Sequence, residues 1–143
     1  MRLHGSCALP TFQHTQLVSA LAGAGHQVES LNAQYVHYVQ CARPLDETES
    51  AALYALLTYG DAQTPIESPL LIVAPRTGTI SPWSSKATDI VHACGLGAVQ
   101  RVERVVAWQA NGLRDDGVET LGGLVHDRMT ESVGNTLELE DTL

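Results

Sequence analysis

Apolar positions along the chain alternate between strand-like and helix-like spacing. Leu3 to Leu9 reads as a short strand. Pro10 and Thr11 open a helical stretch, with Leu17, Leu21 and Ala24 at helical spacing and Gly25 as its stop. Val28 to Val39 reads as extended, because Val28, Tyr35, Val36, Tyr38 and Val39 are β-branched or aromatic. Pro44 and Asp46 open a second helix. Asp46 takes the N-cap, Glu49 the capping-box position three residues on, and Leu53, Leu56 and Leu57 form one apolar stripe that Gly60 closes. Asp61 to Pro69 is polar, carries Pro65 and Pro69, and reads as a loop.

Leu70 to Ala74 is a continuous apolar run, a length that suits a buried strand. Pro75 ends it, and a loop runs to about Pro82. A third helix is expected from Ser84 to about Cys94, with Ala87, Ile90 and Val91 on one face and Gly95 and Gly97 beyond its end. Val99 to Ala110 is a second long extended stretch, followed by an Asn111-Gly112 turn. A fourth helix is expected from about Asp116 to Thr130, striped by Leu121, Leu124 and Val125. The tail after Ser132 is acidic with little periodicity and reads as a frayed end or the start of a linker.

These elements repeat. Val28, Leu31, Tyr35 and Val39 precede Val99, Val102, Val106 and Ala110 by a constant offset. Leu53, Leu56 and Leu57 precede Leu121, Leu124 and Val125 by a nearly equal one. Each half, about 1–62 and 68–132, reads strand, helix, long strand, helix. The expected class is therefore α+β: two pseudo-repeated halves forming one antiparallel or mixed sheet with helices packed on it, related by a pseudo-two-fold.

Composition narrows the function classes. The chain has 143 residues, enough for one domain, and is 44% hydrophobic, so a folded core is expected. Its formal charge is -8, which argues against a nucleic-acid backbone or an anionic membrane as partner. No apolar run approaches the roughly 18 residues of a membrane span, and the opening residues lack the pattern of a secretory signal. Cys7, Cys41 and Cys94 are odd in number and widely spaced, which disfavours a disulfide framework and a CxxC zinc site. A reducing, cytoplasmic location is expected.

The most unusual segment joins the buried strand to the third helix: Pro75-Arg76-Thr77-Gly78-Thr79-Ile80-Ser81-Pro82-Trp83-Ser84-Ser85-Lys86-Ala87-Thr88-Asp89-Ile90. Hydroxyls, cations and free N–H groups at a helix start can bind an anion, although the Walker spacing is absent. The same residues also fit plain helix initiation: Ser81 or Ser84 caps, Pro82 enters the first turn and Trp83 packs. Both readings stay open here. His4, His14, His26, His37, His92 and His126 form no HxxxH or HExxH pair, so no metal site is expected, and His37 beside Tyr35 and Tyr38 fits packing. Cys41 and Cys94 read as small buried hydrophobes rather than nucleophiles. Asp46-Glu47 and Asp115-Asp116 sit at helix N-termini, where the dipole favours them.

The sixteen-residue segment closely resembles the signature near the N-terminus of large-type phosphoribosylformylglycinamidine synthase. The likeness extends through LHGSCAL, the AQYVHYV strand, LLTYG, LLIVAPRTG, CGL, the VERVVAW strand and the VHDRM helix. The resemblance implies the N-terminal domain of a longer glutamine-dependent ligase that converts formylglycinamide ribonucleotide to the amidine in purine biosynthesis. That domain looks like a fused dimer of the small S subunit used elsewhere for the same reaction. ATP and magnesium belong to the full enzyme, with no cofactor in this domain. The partners implied are the synthase and glutaminase domains of the same polypeptide. No catalytic residue and no metal ligand carries over to this chain, which is expected to be inactive alone. Arg76, Thr77, Gly78, Thr79, Ser81, Trp83, Ser84, Ser85 and Lys86 are the expected junction residues: Arg76 and Lys86 to meet phosphate or carboxylate groups, Ser84 and Ser85 to cap the helix, Trp83 to supply apolar contact. The competing reading is a stand-alone dimeric binding or regulatory module.

Overall fold

The computed structural model describes residues 1–139 and 143. The chain runs β1 (Arg2–Cys7), α1 (Thr11–Gly23), β2 (Ser30–Cys41), α2 (Glu47–Leu57), β3 (Leu71–Pro75), α3 (Pro82–Ala93), β4 (Val99–Asn111), α4 (Asp115–Val125) and β5 (Glu131–Gly134). Strand–helix–strand–helix occurs twice, as the spacing predicts, and the class is α+β. The described strands form one antiparallel sheet in the order β1-β2-β4-β3-β5.

The two long strands pair along their whole length at the centre of the sheet, and Tyr35 lies opposite Val106. Those two residues are also equivalents under the sequence offset. The local two-fold of the repeat therefore passes between them, with β1 outside β2 and β3 outside β4. β5 continues the sheet beyond β3, with Val73 opposite Val133. The corresponding segment of the first half bonds β1 near its end, where Cys7 N–H donates to the Asp61 carbonyl at 2.8 Å. Pro65 lies just beyond and cannot donate to a ladder.

Period-two alternation divides the core into two layers. On one face α1 and α4 bury Leu21 and Leu121 against Leu31, Ala33, Leu71, Val73 and Trp108. On the same face α2 and α3 bury Leu53, Leu57 and Val91 against Val39, Val99 and Val102. Each fully buried leucine of this set contributes about 2–3 kcal/mol. On the opposite face Val36, Tyr38, Ile72, Ala74, Val105 and Ala107 pack under Ile66 and Leu137. All four helices thus line one side of the sheet, while irregular chain covers the other.

Three local readings are revised. The boundary at Ser132 falls inside β5, and Leu137 beyond it is buried, with its carbonyl accepting from Tyr38 Oη at 2.5 Å. The frayed-tail reading therefore fails for 133–139; residues 140–142 lie outside the described ones. α4 ends at Val125 rather than Thr130, because the Asp127 carboxylate accepts from Met129 N–H at 2.8 Å and turns the chain toward β5. The VHDRM segment is accordingly a helix end and a turn. Finally, α3 begins at Pro82, directly after its N-cap Ser81 and two residues before the expected start at Ser84, and the reason lies in the site below.

The capping box of α2 is present in full: Glu49 N–H donates to Asp46 Oδ1 at 2.7 Å, and Asp46 N–H to Glu49 Oε1 at 3.2 Å. Arg43 adds two bonds to the Glu49 carboxylate, at 2.8 and 2.9 Å.

Candidate functional site

The segment from Arg76 to Lys86 separates into an anchored part and a presented part. Ser81 is the N-cap of α3: its Oγ accepts from Ser84 N–H at 3.0 Å and donates to Glu103 Oε1 at 2.7 Å. Glu103 sits on β4 with 2% exposure. A carboxylate so buried must be paired. It is paired by Ser81, by Arg101 Nη2 at 2.9 Å and by the Arg104 N–H at 3.0 Å. Arg101 also donates to the Thr79 carbonyl and, through Nε, to Ser84 Oγ. Ser84 is fully buried and donates to the Val102 carbonyl, whose N–H donates to Thr88 Oγ1. The expectation that Ser84 and Ser85 cap the helix is thus corrected. Ser81 caps, Ser84 rivets α3 to β4, and Ser85 is exposed.

The remaining residues face outward. Gly78 has φ +82, a conformation glycine alone takes cheaply, and it lets Thr79 fold back so that its N–H and hydroxyl both donate to the Arg76 carbonyl. Arg76 donates from its guanidinium to the Arg128 carbonyl, which ties the loop to the turn before β5. Arg76, Thr77, Gly78, Thr79, Ser85 and Lys86 are exposed.

Trp83 turns inward and joins a cluster that sequence spacing does not assemble. His37 on β2, fully buried, has its ring 5.8 Å from that of Trp83 and 5.6 Å from that of Tyr59. Its Nε2 is 2.7 Å from Tyr59 Oη, and Arg104 Nη1 donates to the same hydroxyl at 3.2 Å. With Arg104 donating, the Tyr59 hydroxyl is left to donate to Nε2, so the assigned tautomer is Nδ1–H. Nδ1 has no partner of good hydrogen-bond geometry. Burial first, and the Arg104 charge second, push the His37 pKa down to about 4, against a weaker backbone pull from Leu3. His37 is therefore neutral at pH 7. Burial likewise raises the Tyr59 pKa, with Arg104 opposing.

The Arg104 guanidinium lies over the Tyr35 ring at 4.3 Å and over the Trp83 ring at 4.5 Å. Above this cluster, α2 and α3 enclose a groove of about 210 Å³, lined by Leu56, Leu57, Tyr59, Trp83, Lys86 and Ile90 among others. The pseudo-equivalent groove between α1 and α4 is lined by Leu17, Trp108 and Leu124 with two glutamines and carries no cation. Trp108 there occupies the position that His37 holds in the first half.

Among the described residues no group of three or more His, Cys, Asp or Glu converges on one point. Cys7, Cys41 and Cys94 are free thiols; Cys41 is half-buried, and Cys94, read as buried, is exposed at the end of α3. Among the same residues no helix is long and apolar enough to cross a membrane.

Residues 34–143, which include the whole of the anchored loop, match the family described as formylglycinamide ribonucleotide amidotransferase N-terminal. The chain belongs to this family. Its place in purine biosynthesis follows, as part of formylglycinamidine ribonucleotide synthase. The match begins inside β2, and β1 and α1 complete the same sheet and helix layer ahead of it.

In this amidotransferase domain, sequence reading singles out the loop but misses Glu103, Arg101, Arg104, Tyr59 and Tyr35. A signal for part of the set does exist. Three charged residues, Arg101, Glu103 and Arg104, fall within the apolar stretch of the central strand between Val99 and Trp108. A strand buried on both faces admits charges only where they have partners.

Proposed function

We propose that the chain is the non-catalytic N-terminal domain of the amidotransferase and that it seats the rest of the enzyme against its outward loop. The ligase as a whole converts formylglycinamide ribonucleotide to the amidine with ATP, magnesium and glutamine-derived ammonia. Those chemistries reside in later parts of the polypeptide. This domain supports assembly, the wall of the active site and ammonia transfer. The two halves act as two fused copies of one small unit over 1–132.

The observation that carries this reading is the division of labour in the loop. Its base is fixed to β4 through Ser81, Ser84, Arg101 and Glu103. Arg76, Thr77 and Lys86 are left exposed on a rigid platform. A domain that only needed to start a helix there would have no use for so heavy an anchor. Exposed cations at the two ends of that anchored segment suit phosphate or carboxylate contacts.

Arg76→Ala with Lys86→Ala in the complete amidotransferase should lower amidation at least ten-fold while the 143-residue chain still folds. Wild-type kinetics in that double variant would refute the reading. A stand-alone dimeric module is the alternative. The internal two-fold already supplies the pairing that a dimer would, so gel filtration of this chain should give a monomer.

A further inference from the structure

We infer that Arg104 is a positioning residue for amidation: it holds Trp83, and through Trp83 it sets the direction in which the first turn of α3 presents the loop. The inference rests on the reading that the exposed part of the loop serves the rest of the enzyme, and it names the residue that aims it.

The internal repeat supplies a control, because each half shows what the other could do without. The second residue of α1 is Phe12, and the second residue of α3 is Trp83. Phe12 is 72% exposed, and Pro10, the N-cap before it, makes no side-chain cap bond. The offset that carries β2 onto β4 puts Ala33 where Arg104 stands and Asn32 where Glu103 stands. The first half therefore starts its helix with neither a capping carboxylate nor a clamped ring, and α1 still forms on the sheet. Helix packing does not by itself demand the clamp. What the second half adds is the longer connection ahead of its helix: 76–81 joins β3 to α3, whereas only Ala8 to Pro10 joins β1 to α1.

Consecutive residues of a strand point to opposite faces, so Glu103 and Arg104 grip the start of α3 from two sides of β4. Glu103 takes the cap hydroxyl of Ser81. Arg104, opposite His37 in the register, lays its guanidinium over the rings of Trp83 and Tyr35 and donates to Tyr59 Oη. Tyr35, His37 and Tyr59 all belong to the first half, so Arg104 and Trp83 tie the loop-bearing helix of the second half to its neighbour. A hydrogen bond at the cap fixes one point and leaves the helix free to tilt about it. A ring held two residues further on removes that freedom. Lys86 stands one helical turn beyond Trp83 and moves with it. Arginine suits the task because its planar guanidinium can lie against two rings and still donate from its edge, which the ammonium of lysine cannot do.

The test is a double-mutant cycle on amidation by the complete enzyme. Arg104→Gln should lower kcat/KM about ten-fold, as a displacement of roughly 1 Å at a contact can. Arg104→Lys keeps the charge and loses the plane, and should give a smaller loss; it carries the same comparison if the glutamine variant fails to fold. In the Arg76→Ala, Lys86→Ala background neither replacement should lower the rate further, because the residues they aim are gone. In the 143-residue chain Arg104→Gln should also raise the quenching of Trp83 fluorescence by acrylamide. Wild-type turnover in both Arg104 variants overturns this inference and leaves the loop reading standing. Wild-type turnover in the Arg76→Ala, Lys86→Ala enzyme overturns the loop reading and this inference with it. An equal loss in the two backgrounds makes Arg104 a general stabiliser and overturns the positioning role. Unchanged quenching overturns the route through Trp83.

Discussion

Ser81 Oγ donates to Glu103 Oε1 at 2.7 Å while accepting from Ser84 N–H at 3.0 Å. One hydroxyl thereby caps α3 and satisfies a carboxylate buried on the central strand. Helix start and sheet are coupled through a single side chain. Ser81→Ala should destabilise the domain by about 1–3 kcal/mol, the upper part of that range reflecting the acceptor left short of a donor. Arg101→Ala should cost more, roughly 3–5 kcal/mol, because it strips the buried charge of its counter-ion. Urea unfolding of the two variants checks the order; a milder effect for Arg101→Ala than for Ser81→Ala would contradict the account.

Acid should weaken the fold through His37. Its folded pKa, about 4, lies below the ordinary histidine value near 6.5. Between those values the unfolded chain binds the proton and the folded one does not. Stability contributed by neutral His37 is therefore complete above about pH 6.5 and is lost as pH falls toward 4. The full loss is on the order of 3 kcal/mol, before relaxation of the site reduces it. His37→Phe should flatten the melting temperature between pH 4 and 6.5, whatever it does at neutral pH. An equally steep slope in that variant would remove His37 from the explanation.

Gly5 is where β1 passes the histidine. A Cβ at Gly5 would stand 2.6 Å from His37 Cε1 and 3.1 Å from the Tyr35 carbonyl. The histidine is packed on its other side by Tyr59 and Trp83 and has nowhere to retreat. Gly5→Ala should cost about 1–3 kcal/mol, and the combination with His37→Ala should cost less than the sum of the two. Additive losses in thermal melts would show that the crowding is not between these residues.

The capping box of α2 offers a control remote from the loop. Asp46→Ala removes the acceptor of Glu49 N–H and should cost about 1 kcal/mol. Amidation by the complete enzyme should be unaffected, because Asp46 belongs to neither the loop nor the groove. Circular dichroism melts and a turnover assay check the two halves of this expectation.

Element order, the α2 capping box and the repeat were legible in one dimension because each rests on local chemistry. Asp46 and Glu49 are three residues apart, and the apolar stripes repeat with the periods of helix and strand. The loop, too, stood out by composition. Its internal logic did not. Ser81 and Ser84 carry the same functional group three positions apart, and either fits a cap by spacing. Glu103, 22 residues from Ser81, decides which does. β5 escaped notice because four residues, three of them exposed, leave no periodic trace, and only the free edge of β3 gives them a reason to be extended.

The order of elements and the doubling of the unit are thus properties of the chain as written, since short-range spacing and capping are encoded within a few residues of one another. Which hydroxyl caps, which histidine is silenced and which arginine lies over aromatic rings were settled only when β2 and β4 paired. That pairing brings Tyr35, His37 and Arg104 beneath Tyr59 and Trp83. Burial then sets the protonation of His37 and the partners of each charge, and burial is a property of the fold rather than of any segment.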